Sequence, residues 1–91
     1  MKPRATLWRI YLINENLDYV LKRKLRSTWP SGDFEKYAKA NGYTLLRSDD
    51  TLMGGYYAAP NGDTLVCVPA ALDPRSIYGG KYANIIEPKG A

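Results

Sequence analysis

The segment from residue 6 to residue 13 constrains the fold of this chain more than any other. It reads Thr-Leu-Trp-Arg-Ile-Tyr-Leu-Ile, and apart from Arg9 it contains only β-branched, aromatic and aliphatic residues. Such a composition favours a β-strand. Alternate residues of a strand point to opposite faces, so Trp8 and Ile10 share one face while Leu7 and Tyr11 share the other. Because both faces are apolar, we predict a central strand of a sheet rather than an edge strand.

The next segment, residues 14–27, predicts a helix. Asn14 and Asn16 are good N-cap residues, and the nearby carboxylates suit the positive end of a helix dipole. Apolar residues then recur at the spacing of one helical stripe, namely at Leu17, Val20, Leu21 and Leu25. The pair Trp29-Pro30 disfavours helical continuation, so we expect this helix to end near residue 27.

A second, shorter helix is predicted after the Trp-Pro-Ser-Gly corner. Either Ser31 or Asp33 can serve as its N-cap, and Gly42 follows Asn41 as the left-handed residue that ends it. Residues 43–47 then have the composition of a strand.

The C-terminal half predicts mainly antiparallel strands. Residues 55–68 contain two β-type runs around Pro-Asn-Gly, which indicates a hairpin with a three-residue loop at 60–62 and Tyr57 facing Leu65. After this hairpin, a single helical turn after Asp73 and an edge strand over 82–86 are expected.

The predicted order is therefore strand, helix, helix and then antiparallel strands, which describes one small α+β domain. A length of 91 residues leaves no room for two cores. We assign residues 1–4 to a flexible basic lead, 5–87 to the domain and 88–91 to a flexible tail. Self-association is an open alternative, because a domain this short buries a modest share of its surface.

Several functional classes are excluded by composition. The chain has no His and one Cys, which excludes the common zinc sites, Ser-His-Asp and Cys-His catalysis, and an internal disulfide. We therefore expect no enzymatic activity, no cofactor and no metal. No apolar run is long enough to span a membrane or serve as a signal peptide. The single Cys67 is compatible with a reducing compartment, so we expect a cytoplasmic protein.

Positive charge is concentrated near the start of the chain. Seven of the thirteen Lys and Arg residues, but two of the nine Asp and Glu residues, lie within the first 27 positions. On the predicted helix, Arg23 and Arg26 share a face with Tyr19. Tyr, Trp and Arg are the residue types enriched at binding hot spots. The candidate partner-binding residues are Tyr19, Lys22, Arg23, Lys24, Arg26 and Trp29, with Tyr56 and Tyr57 as further aromatic contacts.

Two functions fit this pattern. The leading hypothesis is a non-enzymatic regulator or inhibitor, of the kind that phages or mobile elements encode. It would dock its basic helix on a protein with an acidic or nucleic-acid-binding surface. The alternative is direct nucleic-acid binding through the same helix and residues 2–9. A helix-turn-helix is disfavoured, because the second predicted helix, which would enter the major groove, is nearly neutral.

Overall fold

The computed structural model describes residues 4–47 and 55–87, which form a six-stranded mixed sheet with two helices. The α+β class is confirmed. The tail at 88–91 and the first three residues of the predicted lead lie outside the described residues. In chain order the elements are β1 (Thr6–Ile13), β2 (Tyr19–Ser27), α1 (Pro30–Ala40), β3 (Thr44–Arg47), β4 (Tyr56–Ala58), β5 (Thr64–Pro69), α2 (Pro74–Tyr78) and β6 (Ile85–Ile86).

Strand β1 lies in the middle of the sheet, as its two apolar faces predict. The strand order is β3-β4-β5-β1-β2-β6, and β1 pairs antiparallel with both β5 and β2. Its residues Ile10 and Tyr11 point to opposite faces, and both are buried. The last strand, β6, pairs with β2 in parallel.

A separate apolar cluster covers each face of the sheet. On one side, which we call the α1 face, Phe34 and Ala38 of α1 lie against Ile10 and Leu65. On the other side, the α2 face, Tyr11 belongs to a buried cluster against which residues of and after α2 pack. This cluster comprises Tyr11, Tyr19, Leu21, Val66 and Val68, and its partly buried neighbours include Ile77, Tyr78 and Ala83.

The prediction of a helix over residues 14–27 is wrong, because these residues form the turn and second strand of a hairpin with β1. Asn14 closes the turn: its Oδ1 accepts hydrogen bonds from the N–H groups of Asn16 and Asp18, both at 3.0 Å. Tertiary pairing with β1 decides between helix and strand for these residues. A central strand has backbone N–H and C=O groups along both edges, and β2 satisfies one of those edges.

The helical spacing of the leucines has a second explanation in a β-bulge. Ile10 faces Arg23 and Tyr11 faces Leu21, so Lys22 is an extra residue on β2. Because this extra residue shifts the alternation, the apolar residues before and after it no longer follow a simple period of two. A strand with a bulge thereby imitates the three-to-four spacing of a helix.

The other predicted elements are present, but neither Ser31 nor Asp33 is the N-cap of the second helix. Helix α1 begins earlier, at Pro30, whose fixed φ suits the first helical position, and Trp29 is its N-cap. Helix α1 ends before Gly42, whose φ is +79°. In the β4–β5 hairpin Tyr57 faces Leu65, and Gly62 takes φ +93° in the loop. Asp73 caps α2 by accepting a hydrogen bond from the backbone N–H of Arg75. Of the strand predicted over 82–86, β6 forms the last two residues. Neither helix in the described residues is long and apolar enough to cross a membrane.

Candidate functional site

The basic cluster predicted on a helix lies instead on the β1–β2 hairpin. Cross-strand pairing places Arg9 opposite Lys24 and Leu7 opposite Arg26. All four belong to the α2 face, at the end of the hairpin remote from its turn. We call this set the cationic hairpin surface. Arg9 and Leu7 are not among the predicted partner-binding residues, although both fall within residues 2–9 of the alternative nucleic-acid site. The signal for Arg9 is that it is the one charged residue of β1.

Electrostatic repulsion is built into this surface. Residues directly opposite each other on antiparallel strands have Cβ atoms about 5 Å apart, and like charges at such positions destabilise a sheet. Arg9 and Lys24 form such a pair. Arg9 forms a long ion pair with Glu87, whose carboxylate oxygen lies 4.0 Å from Arg9 Nη1. Its Nε is buried and has no hydrogen-bond partner in the described residues. The hairpin therefore presents cations whose hydrogen-bonding capacity is incompletely used.

The remaining two cations of the predicted cluster point elsewhere. Lys22 is the exposed extra residue of the bulge. Arg23 belongs to the α1 face, where its guanidinium carbon lies 5.8 Å from the centre of the Tyr37 ring. This cation–π contact ties β2 to α1. Tyr19 and Arg26 thus share a face that Arg23 does not, contrary to the helical spacing.

Trp29 is an exposed aromatic residue at the corner between β2 and α1. Its side chain is 63% exposed, and it lies two residues beyond the end of β2. Hydrogen bonds connect the corner that carries it: Ser27 is buried, its hydroxyl donates to the Asp33 carboxylate, and it accepts from the Trp29 N–H at 2.8 Å. The indole lies so close to Gly32 that a Cβ there would collide with it. The Trp29 ring is therefore positioned on the surface by the hydrogen bond of its backbone N–H and by packing against Gly32.

The predicted tyrosine contacts are mostly interior. Tyr19 is 2% exposed and donates a hydrogen bond to the Gly79 carbonyl at 2.5 Å. Burial, with the Asp73 carboxylate second, raises the pKa of Tyr19. Tyr57 is 4% exposed and packs edge-on against Phe34, with ring centres 5.1 Å apart. Tyr56 is half-buried. Tyr19 and Tyr57 therefore act in packing, and Trp29 is left as the surface aromatic of the predicted set.

A second surface feature is an apolar groove of about 400 Å³ on the α2 face, at the turn end of the hairpin. Leu17, Leu46 and Tyr56 contribute to its walls, and none of the described residues that line it is charged. Leu17 is 61% exposed and has φ +64°, an uncommon conformation for a residue with a side chain. The described part of its lining therefore offers no charged side chain to orient a ligand.

Two chemical features concern reactivity. Burial raises the pKa of the Cys67 thiol to about 12, so this cysteine is not ionised near neutral pH. Within residues 4–47 and 55–87, no three His, Cys, Asp or Glu side chains come together as a metal site would require.

In comparisons with protein-family models, curated proteins and solved structures, no match to this chain was found.

Proposed function

We propose that this protein is a non-enzymatic binding protein, a regulator or inhibitor, that docks on an acidic protein surface through its cationic hairpin surface and Trp29. The observation that carries the proposal is the cross-strand pair of half-buried Arg9 and exposed Lys24, with exposed Arg26 on the same face. Two like charges face each other across the ladder, an arrangement that destabilises a sheet. A carboxylate-bearing partner would relieve their repulsion by adding negative charge next to them.

An acidic protein is favoured over nucleic acid by the character of the surface. Arg26 is paired with the apolar Leu7, and the exposed Trp29 follows the end of the same strand by two residues. Aromatic anchors next to Arg are typical of protein interfaces. Sequence-specific duplex binding has no support, because the helix that would precede a recognition helix is the strand β2. Nucleic acid remains the alternative outcome of the test below.

The test is calorimetric titration of the full chain with a capped polyglutamate peptide and, separately, with single-stranded oligothymidine. The double variant Lys24→Gln/Arg26→Gln should weaken peptide binding by about tenfold, since two exposed ion pairs are worth ~1.4 kcal/mol together. The matched control Lys39→Gln/Lys81→Gln removes the same charge outside the surface and should change the affinity by less than about twofold. Trp29→Ala should also weaken binding.

Three results would count against the proposal. Equal losses in the two double variants would mean that net charge alone drives binding. Tighter binding of oligothymidine than of polyglutamate, with a steep dependence on salt, would favour the nucleic-acid alternative. No binding of either probe would remove the basis for a cationic docking surface.

A further inference from the structure

Among the described residues, most of the outer edge of β2 has no partner strand. The parallel strand β6 pairs with Tyr19 and Val20 and ends there. In the part of the chain that the structure describes, no strand lies beside residues 21–27 on that side. Glu87 follows β6, and the next residue in the sequence, Pro88, has no N–H to donate to a ladder. We call residues 21–27 of this strand the β2 edge.

Hydrogen bonding identifies which backbone groups face the β2 edge. The Leu7 carbonyl accepts a hydrogen bond from the Ala70 N–H at 2.9 Å, on the β5 side of β1. Leu7 therefore exchanges no hydrogen bonds with its partner Arg26, whose N–H and C=O must face away from β1. The pattern alternates along the ladder, so Lys24, opposite Arg9, presents its N–H and C=O to the same edge. Backbone donors and cationic side chains thus coincide at Lys24 and Arg26.

At its N-terminal end, β2 already pairs with a neighbouring strand on this side. Tyr19 donates its N–H to the Asn84 carbonyl at 2.8 Å, so β2 accepts a partner strand on this side. Glu87 comes directly after that partner strand and places its carboxylate 4.0 Å from Arg9. A carboxylate that directly follows a strand paired with β2 therefore reaches Arg9 on the α2 face.

The charges on the β2 edge also select what can pair with it. Lys and Arg on an edge strand oppose pairing with a second copy of the same edge, because like charges would be brought together. The same cations attract an extended segment whose side chains are acidic. Since the side-chain period of a strand is two, carboxylates at every second residue would lie over Lys24 and Arg26 on one face.

We propose that the partner contributes an extended acidic segment that adds as a strand along the β2 edge, with carboxylates at alternate positions facing Lys24 and Arg26. This inference rests on the proposed function and specifies its binding mode, which is strand addition rather than contact between preformed surfaces. About six residues of the partner would cover residues 21–27.

The experiment uses a capped peptide in which Glu alternates with Val, together with two N-methylated versions of identical composition and charge. One version is methylated at the Glu amides and the other at the Val amides. In strand addition, one set of amides faces β2 and the other faces solvent. One version should therefore lose affinity by at least about tenfold while the other binds like the parent peptide. Loss at Glu indicates an antiparallel partner, and loss at Val indicates a parallel one.

A pair of chain variants gives an independent readout. Lys24→Gln and Lys24→Pro remove the same charge, but Lys24→Pro also removes the outward N–H, a change that an edge strand tolerates. The peptide should bind Lys24→Pro several-fold more weakly than Lys24→Gln, with circular dichroism unchanged between the two.

The outcomes separate the two proposals. If the parent peptide binds through Lys24 and Arg26 but both methylated versions bind equally well, strand addition is overturned and the proposed function stands. If no version binds, both fail.

Discussion

At the scale of single residues, Gly32 decides where the surface aromatic lies. A Cβ at this position would overlap the Trp29 ring, so the indole can pack against Gly32 only because this residue has no side chain. Gly32 is buried within the first turn of α1, and the space it leaves is filled by the indole itself. A residue with no side chain thus orients the largest exposed ring of the proposed binding surface.

The change Gly32→Ala should displace the Trp29 indole and leave α1 intact, because Ala is a better helix former than Gly. The two tryptophan indole N–H signals in a heteronuclear NMR spectrum report this directly. The Trp29 signal should shift, whereas that of Trp8, whose Nε1 donates to Thr6 at 2.7 Å, should stay in place. Ser31→Ala is the matched control on the same turn. An unmoved Trp29 signal would show that the glycine does not hold the ring.

At the scale of elements, the turn between β1 and β2 carries a cost. Leu17 is exposed and occupies the left-handed region at φ +64°, which is unfavourable by about 1 kcal/mol for a residue with a Cβ. Asn14 compensates through the two hydrogen bonds that its side chain accepts across the turn. Asn14 therefore stabilises the turn of the hairpin, whereas the positive φ of Leu17 destabilises it.

Leu17→Gly should raise the free energy of unfolding by about 0.5–1 kcal/mol, because glycine adopts a positive φ without steric cost. Urea denaturation measures the change. Leu17→Ala is the control, since it removes the same exposed side chain but keeps the Cβ, and it should not stabilise the protein. A glycine variant less stable than the alanine variant would contradict this account of the turn.

At the scale of the whole molecule, stability and binding place opposite demands on the charged hairpin. The fold would be more stable with a carboxylate opposite Arg9, and the chain has Lys24 there instead. Elsewhere the structure pairs opposite charges, as in α1, where Lys39 Nζ lies 2.8 Å from a carboxylate oxygen of Glu35. Excess charge is therefore concentrated at the surface for which we propose a partner.

Lys24→Glu should stabilise the fold by about 0.5 kcal/mol, because it turns a repulsive cross-strand pair into an attractive one. The same variant should weaken binding of the acidic peptide by more than Lys24→Gln does. Urea denaturation and calorimetry give the two quantities. Lys39→Glu, which breaks the pair with Glu35, is the control and should not be stabilising. A less stable Lys24→Glu protein would show that the cations do not repel each other.

Elements whose signals are local could be predicted from the amino-acid sequence. The two-sided apolar run of β1, the Pro-Asn-Gly loop before β5 and the cap at Asp73 each depend on neighbours within a few residues, and all three are present as expected. The concentration of positive charge near residues 22–26 could also be predicted, because the residue types alone give the charge of a segment. These features do not depend on how distant parts of the chain meet.

Tertiary structure alone decided the conformation of residues 14–27 and hence the form of the candidate site. Local propensity permitted a helix there, and the bulge at Lys22 hid the alternation of a strand. The unpaired edge of β1 made the strand the better solution, because a central strand must satisfy backbone groups on both sides. That choice moved Arg23 onto Tyr37, buried Tyr19 and brought Arg9 beside Lys24. Such juxtapositions arise from pairing between segments, which no local pattern contains.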